Sequence, residues 1–108
     1  MDIKIDISTD FTDAPGARFR EDGDKSGQEF YEDLLKPKFD KAVEEKVKLI
    51  VNLDNTWGYA SSFISGSFGK LSQEYGSDVV LSTLEMISND EPLLIDKIKD
   101  EILKPNTK

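Results

Sequence analysis

The run "VKLIVNL", Val47 to Leu53, constrains the fold of this chain more than any other stretch. It is apolar and largely β-branched with little polar alternation, which suits a strand covered on both faces or flanked by other strands. It predicts the middle of a sheet. The segments on either side carry a helical period instead. Upstream, "SGQEFYEDLLKPKFDKAVEEK" opens with Ser26 and Glu29 in the S-x-x-E spacing of a capping box, and Phe30, Leu34, Leu35, Phe39, Ala42 and Val43 then recur on one face. Pro37 lacks an N–H and crowds the carbonyl four residues back, so a kink or two abutting helices is expected there. Downstream, Ala60, Phe63, Ile64, Phe68, Leu71 and Tyr75 share a face until Gly76 supplies a stop.

The ends of the chain complete an alternating order. "IKIDIS" places Ile3, Ile5 and Ile7 at every second position, the mark of a half-buried strand, and Arg18 to Glu21 reads as a second strand beside it. "DVVLSTLEMIS" reads as a further strand, and "NDEPLLIDKIKDEILK" as a last helix, with Asp90, Glu91 and Pro92 at its start. The order β(β)αβαβα predicts an α/β layered domain with parallel crossovers. At 108 residues one domain is expected, spanning 1–104, with 105–108 as a frayed tail.

Composition removes several chemistries. Without cysteine or histidine there are no disulfides, no thiol or imidazole catalysis, and none of the usual zinc, haem or iron–sulfur ligand sets, so no cofactor is expected. The opening "MDIKIDISTD" lacks the basic start and apolar run of a signal peptide, and nothing approaches the ~18 apolar residues of a membrane span, so a cytoplasmic protein is expected. The net charge of −8 repels phosphate backbones and anionic membranes. Neither direct nucleic-acid binding nor membrane binding is expected; a basic protein partner remains compatible.

Two stretches could carry chemistry. In "DGDKSGQEFYED", Asp22, Asp24, Ser26, Gly27 and Asp33 occupy positions one, three, five, six and twelve of a calcium loop of the EF-hand type. The flank upstream holds Pro15 and Gly16 where a helix is required, and the twelfth position is the shorter aspartate, so a polar turn entering a capped helix accounts for the same residues. The second stretch is "NTWGYASSFISGSFGKL", Asn55 to Leu71. A loop from Asp54 to Gly58 leads into a helix beginning near Ala60 to Ser62, so that Ser61 and Ser62 would sit where free N–H groups and the positive end of the macrodipole offset the charge of a phosphoserine. The alternative is that either serine only caps the helix. Gly66 and Gly69, with Ser62 and Ser65, form a small-residue ridge suited to close helix packing. Trp57 and Tyr59 either anchor a partner or pack onto the domain's own core.

"KLIVNLDN" leading into "YASSFISGSFGKL" resembles the strand, loop and helix start of STAS domains, the fold of bacterial anti-sigma factor antagonists. More closely, "ARFREDGDKSGQEFYEDLL" and "GYASSFISGSFGKL" are similar to the R-x-x-x-x-G-x-x-S-G-x-x-F and G-Y-x-S-S-F-x-x-x-x-F-G-x-L stretches of the STAS-like family of uncharacterised bacterial proteins. With their flanks these cover about Ile3 to Leu84. The resemblance implies a mixed sheet of about four strands with helices mainly on one side. It also implies a non-catalytic regulatory module that binds a protein partner, an ATPase or kinase of the histidine-kinase fold, and is released when a motif serine is phosphorylated. The motif serines fall on Ser61 and Ser62, while Ala60 and Phe63 replace the aspartate and glycine that flank them in STAS domains. The reading carried forward is binding through Asn55, Trp57, Tyr59, Ser61 and Ser62. A small acidic inhibitor or decoy that occupies a basic face of another protein is the alternative.

Overall fold

A computed structural model describes residues 2–105. Three strands form the sheet: β1 (Ile3–Asp6), β2 (Leu49–Asn52) and β3 (Leu84–Ile87). They lie in the order β1-β2-β3 and both pairings are parallel, with Ile5 beside Val51 and Val51 beside Met86. The apolar run therefore does form the middle strand. Its cover is one-sided, however: Leu49 and Val51 are buried, while Ile50 and Asn52 are half-buried. Topology supplies the reason. Crossovers between parallel strands are right-handed as a rule, and when strands are added in chain order every crossover helix falls on the same face.

Five helical segments make up the other layer. After a single turn α1 (Ile7–Asp10), the long helix α2 runs over 27–45 and α3 over 61–75. Then come α4 (Ser77–Thr83) and α5 (Leu93–Leu103). Between the layers lies an aromatic centre, in which Phe30 of α2 stands 5.6 Å from Phe63 and 6.1 Å from Phe68 of α3, ring centre to ring centre. Phe39, Leu71 and Ile98 extend it, all fully buried.

Three sequence expectations are corrected. The sheet has three parallel strands, not about four in a mixed arrangement. Arg18 to Glu21 is not a strand; this segment crosses the start of α2, where the Ala17 and Arg18 carbonyls accept the N–H groups of Gly27 and Gln28 at 2.7 and 2.8 Å, and it closes in a 3₁₀ turn, Arg20–Asp22. Those carbonyls satisfy donors that a new helix leaves open, so they are committed to the helix and not to a sheet ladder. "DVVLSTLEMIS" divides: Gly76, at φ +88°, ends α3, a short helix α4 buries Val80, and only Leu84–Ile87 extends as strand.

The long helices deviate from regular α geometry where the sequence demands it. α2 stays continuous through Pro37 instead of breaking, because a wider π turn over Tyr31–Leu35 directly upstream accommodates the missing N–H. Ser26 caps α2 by accepting the Glu29 N–H at 3.0 Å, and the Glu29 carboxylate reaches back to the Lys25 amide at 3.2 Å, one residue before the capping-box position. A second π turn, Ser65–Gly69, lies in α3, and within it Ser67 returns its hydroxyl to the Phe63 carbonyl at 2.7 Å. Glycines let α3 lie against α2 and against the segment that precedes it. A Cβ on Gly27 would stand 2.5 Å from the Phe63 carbonyl oxygen, and one on Gly66 would stand 2.8 Å from that of Arg18.

Candidate functional site

The loop from β2 to α3 leaves the sheet at the carboxyl ends of its strands, the edge at which open parallel sheets place their binding residues. Asp54 fixes its first turn. That side chain is 8% exposed, and its Oδ1 accepts the N–H groups of Asn89 and Asp90 at 2.7 and 2.9 Å while Oδ2 accepts the Asn89 side-chain amide at 3.0 Å. Asp90 answers by accepting the Asn55 N–H at 2.9 Å. The two aspartates thereby lock the loop after β2 to the loop after β3. Asn55 itself sits at φ +68°, a left-handed conformation that asparagine tolerates.

The far side of the loop is held by the segment after α1. The Trp57 N–H donates to the Asp13 carbonyl at 2.8 Å, the Ala60 N–H to Pro15 at 3.2 Å, and the Ser62 hydroxyl to the Gly16 carbonyl at 3.0 Å. Tyr59 turns inward, donating its hydroxyl to the Leu53 carbonyl at 3.0 Å and packing 6.1 Å from Phe63. Burial, with the Asp6 and Asp54 charges adding to it, holds that phenol well above its ordinary pKa. Trp57 does the opposite. Its backbone is fixed from Asp13 while its side chain is 88% exposed.

The sequence-predicted site residues thus separate. Asn55 holds the loop in its clasp, Trp57 projects, and Tyr59 belongs to the core except where it reaches the cleft beneath the loop. Neither serine caps α3: Ala60 is the N-cap residue and no side chain accepts there. Ser61 is the first helical residue and exposed, with no hydrogen bond from its hydroxyl to any described residue, whereas that of Ser62 is engaged. The remaining serines serve packing. Ser65 donates to Glu101 at 3.0 Å and Ser72 to the Ile102 carbonyl, joining α3 to α5.

Asp54, Ser88, Asp90 and Leu94 were not identified from the sequence as residues of the site. Their signal, visible afterwards, is the pair of short polar stretches "LDN" and "SNDEP" that follow the two strands. The calcium-like stretch is committed otherwise: Asp33 accepts Arg20 at 2.9 Å, Glu32 accepts it at 3.0 Å, and Ser26 caps α2. Among the described residues no group of three or more acidic side chains is placed to hold a metal ion, and no helix is long and apolar enough to cross a membrane.

Residues 26–94 match the model of the STAS-like domain of unknown function (DUF4325). The chain belongs to this family. No curated protein and no solved structure matched it. The matched span begins at the Ser26 cap of α2 and ends at Leu94 in α5, so this STAS-like domain carries the clasped loop, the exposed tryptophan and the Ser61 position within the family's own extent.

Proposed function

We propose that this STAS-like domain is a non-catalytic regulatory module that docks a protein partner through the loop and helix start at 55–62. The observation that carries the reading is Trp57. An indole 88% exposed on a loop whose backbone is hydrogen-bonded from two sides offers a large, preorganised contact area at little entropic cost. Family resemblance to anti-sigma factor antagonists supports an ATPase or kinase of the histidine-kinase fold as the partner. Ser61 is the phosphoacceptor in this reading, since its hydroxyl is exposed and uncommitted at the start of a helix spanning 61–75. A kinase would transfer the terminal phosphoryl group of ATP to Oγ, which gives up its proton as ADP leaves, and the added negative charge of ~1.5 to 2 would expel a surface fitted to a neutral hydroxyl.

The net charge of −8 favours a second reading, an acidic inhibitor that covers a basic face of another protein. One experiment separates the two. A photo-crosslinking amino acid is placed at position 57, or at the exposed Val43 on α2, in the native cell, and adducts are identified by mass spectrometry. A discrete adduct from position 57 alone supports loop docking. Equal labelling from both positions points to the charge-driven inhibitor, and no adduct from position 57 refutes the docking reading.

A further inference from the structure

Under the loop lies a cleft of about 290 Å³, at the lower limit for a small-molecule site and suited to one long side chain. Its floor is apolar, from the buried Leu53, Tyr59 and Leu94; the exposed Trp57 also lines it, as do Asp90 and Glu91 of the loop after β3. None of the lining residues is basic. The Glu91 carboxylate makes no hydrogen bond or ion pair with any described residue, and of the Asp90 carboxylate only Oδ2 is engaged, by the Asn55 N–H.

Resting on the docking reading above, we infer that this cleft receives an arginine side chain from the partner. A purely apolar side chain would fill the floor but strip water from two carboxylates without replacing their hydrogen bonds. A basic side chain satisfies both demands, since its stem lies on Leu94 and Tyr59 while its charge meets Asp90 and Glu91. Between the two basic residues, the presence of Trp57 in the lining decides. A planar guanidinium stacks on an indole face and still directs its N–H fork at carboxylates, whereas the strongly hydrated ammonium of lysine does this less well. The overall charge of −8 would steer a basic segment toward the site.

The test uses a phage-displayed library of random dodecapeptides selected on the full chain. Winning peptides are synthesised and titrated by calorimetry against wild type, Trp57→Ala and Glu91→Gln, both exposed substitutions outside the Asp54 clasp. The expected winners contain arginine, lose affinity on Trp57→Ala, and weaken at least tenfold when that arginine becomes citrulline, which keeps the shape and removes the charge. Arginine to lysine should weaken them several-fold, and Glu91→Gln should shrink the difference between arginine and citrulline. Winners that need Trp57 but lack arginine, or ignore citrulline, leave the docking surface standing and overturn the arginine. Winners indifferent to Trp57→Ala, or no winners at all, overturn the arginine and count against the docking surface too.

Discussion

Substituting Gly27 by alanine tests the closest approach in the molecule. The new Cβ would stand 2.5 Å from the Phe63 carbonyl oxygen and 3.2 Å from the carbonyl carbon of Gly66, both backbone atoms of α3. Carbon–oxygen contacts settle no closer than roughly 3.3 Å, so α2 and α3 must separate by most of an ångström. They are poorly able to do so, because the Gly27 N–H is bonded to the Ala17 carbonyl at 2.7 Å and Phe30, one turn on, is fully buried against Phe63. Overpacking of this kind costs ~1–3 kcal/mol, and rigid backbone on both sides argues for the upper end. About 3 kcal/mol corresponds to a fall in Tm of roughly 10–20 °C for a domain near this size. Gly69→Ala is the control. Its Cβ would meet Glu101 Oε2 at 2.8 Å, the far end of a flexible side chain, and the helix gains ~1 kcal/mol from alanine, so the two effects nearly cancel. Paired urea and thermal melts read the contrast. Equal stability of the two variants would refute the account of glycine as the contact that lets the helices meet.

Asp54→Ala should cost ~3 kcal/mol, since it strands the N–H groups of Asn89 and Asp90, and should lower the fluorescence anisotropy of the single tryptophan as the loop loosens. Ser61→Ala should leave stability within ~0.5 kcal/mol of wild type, because that hydroxyl neither caps nor bonds, while Ser62→Ala should cost ~1 kcal/mol through the lost bond to Gly16; denaturant titration measures both. Ser61→Asp should weaken partner binding by more than it alters the melting temperature, and unchanged binding would remove the switch from the proposal. Stability should also depend on pH at both ends. Burial first, and then the hydrogen bond to Glu74, raise the Tyr31 pKa, so the native state keeps a proton that the unfolded chain releases near pH ~10, and stability should fall as pH rises past that value. Glu74 is lowered, chiefly by the same hydrogen bond and then by Lys36, so its contribution is present above pH ~4.3 and should disappear as pH falls below it. Melts of Tyr31→Phe should show a shallower alkaline decline, the raised phenols of Tyr59 and Tyr75 keeping the rest, and those of Glu74→Gln should show a flatter acid limb.

The three long helices were legible because their signals are local and periodic. The face of α2 from Phe30 to Phe39, the stop at Gly76, and the start of α5 after Pro92 each follow from residues within one or two turns. The sheet was legible less fully. β2 was found by its apolar run, but whether one face or both are covered depends on strand order, a property of the whole chain. Val79 and Leu81 made 78–88 look extended throughout, although a four-residue strand was enough to complete the sheet and the residues before it were used to turn the chain. Arg18 to Glu21 misled for a related reason, because carbonyls that cap a helix and carbonyls that join a ladder have the same sequence.

At the site, residue types identified the loop but could not distribute its roles. Trp57 and Tyr59 are aromatic neighbours two positions apart, and one projects while the other is buried because the loop is held from both directions: Asp13 takes the Trp57 amide, and the Leu53 carbonyl takes the Tyr59 hydroxyl. Both partners lie outside the stretch that raised the question. The same holds for Ser62 and Ser65, whose hydroxyls are assigned by Gly16 and Glu101, and for the cleft, whose acidic side comes from the loop after β3, about 35 residues further along the chain. Asp54 joins these distant pieces. By satisfying the turn after β3 with its own carboxylate it holds the loop that carries Trp57 beside the loop that carries Glu91. A cleft built this way is specified by the parallel register of β2 and β3, which brings Asn52 beside Ile87 and so brings together the two loops that follow them.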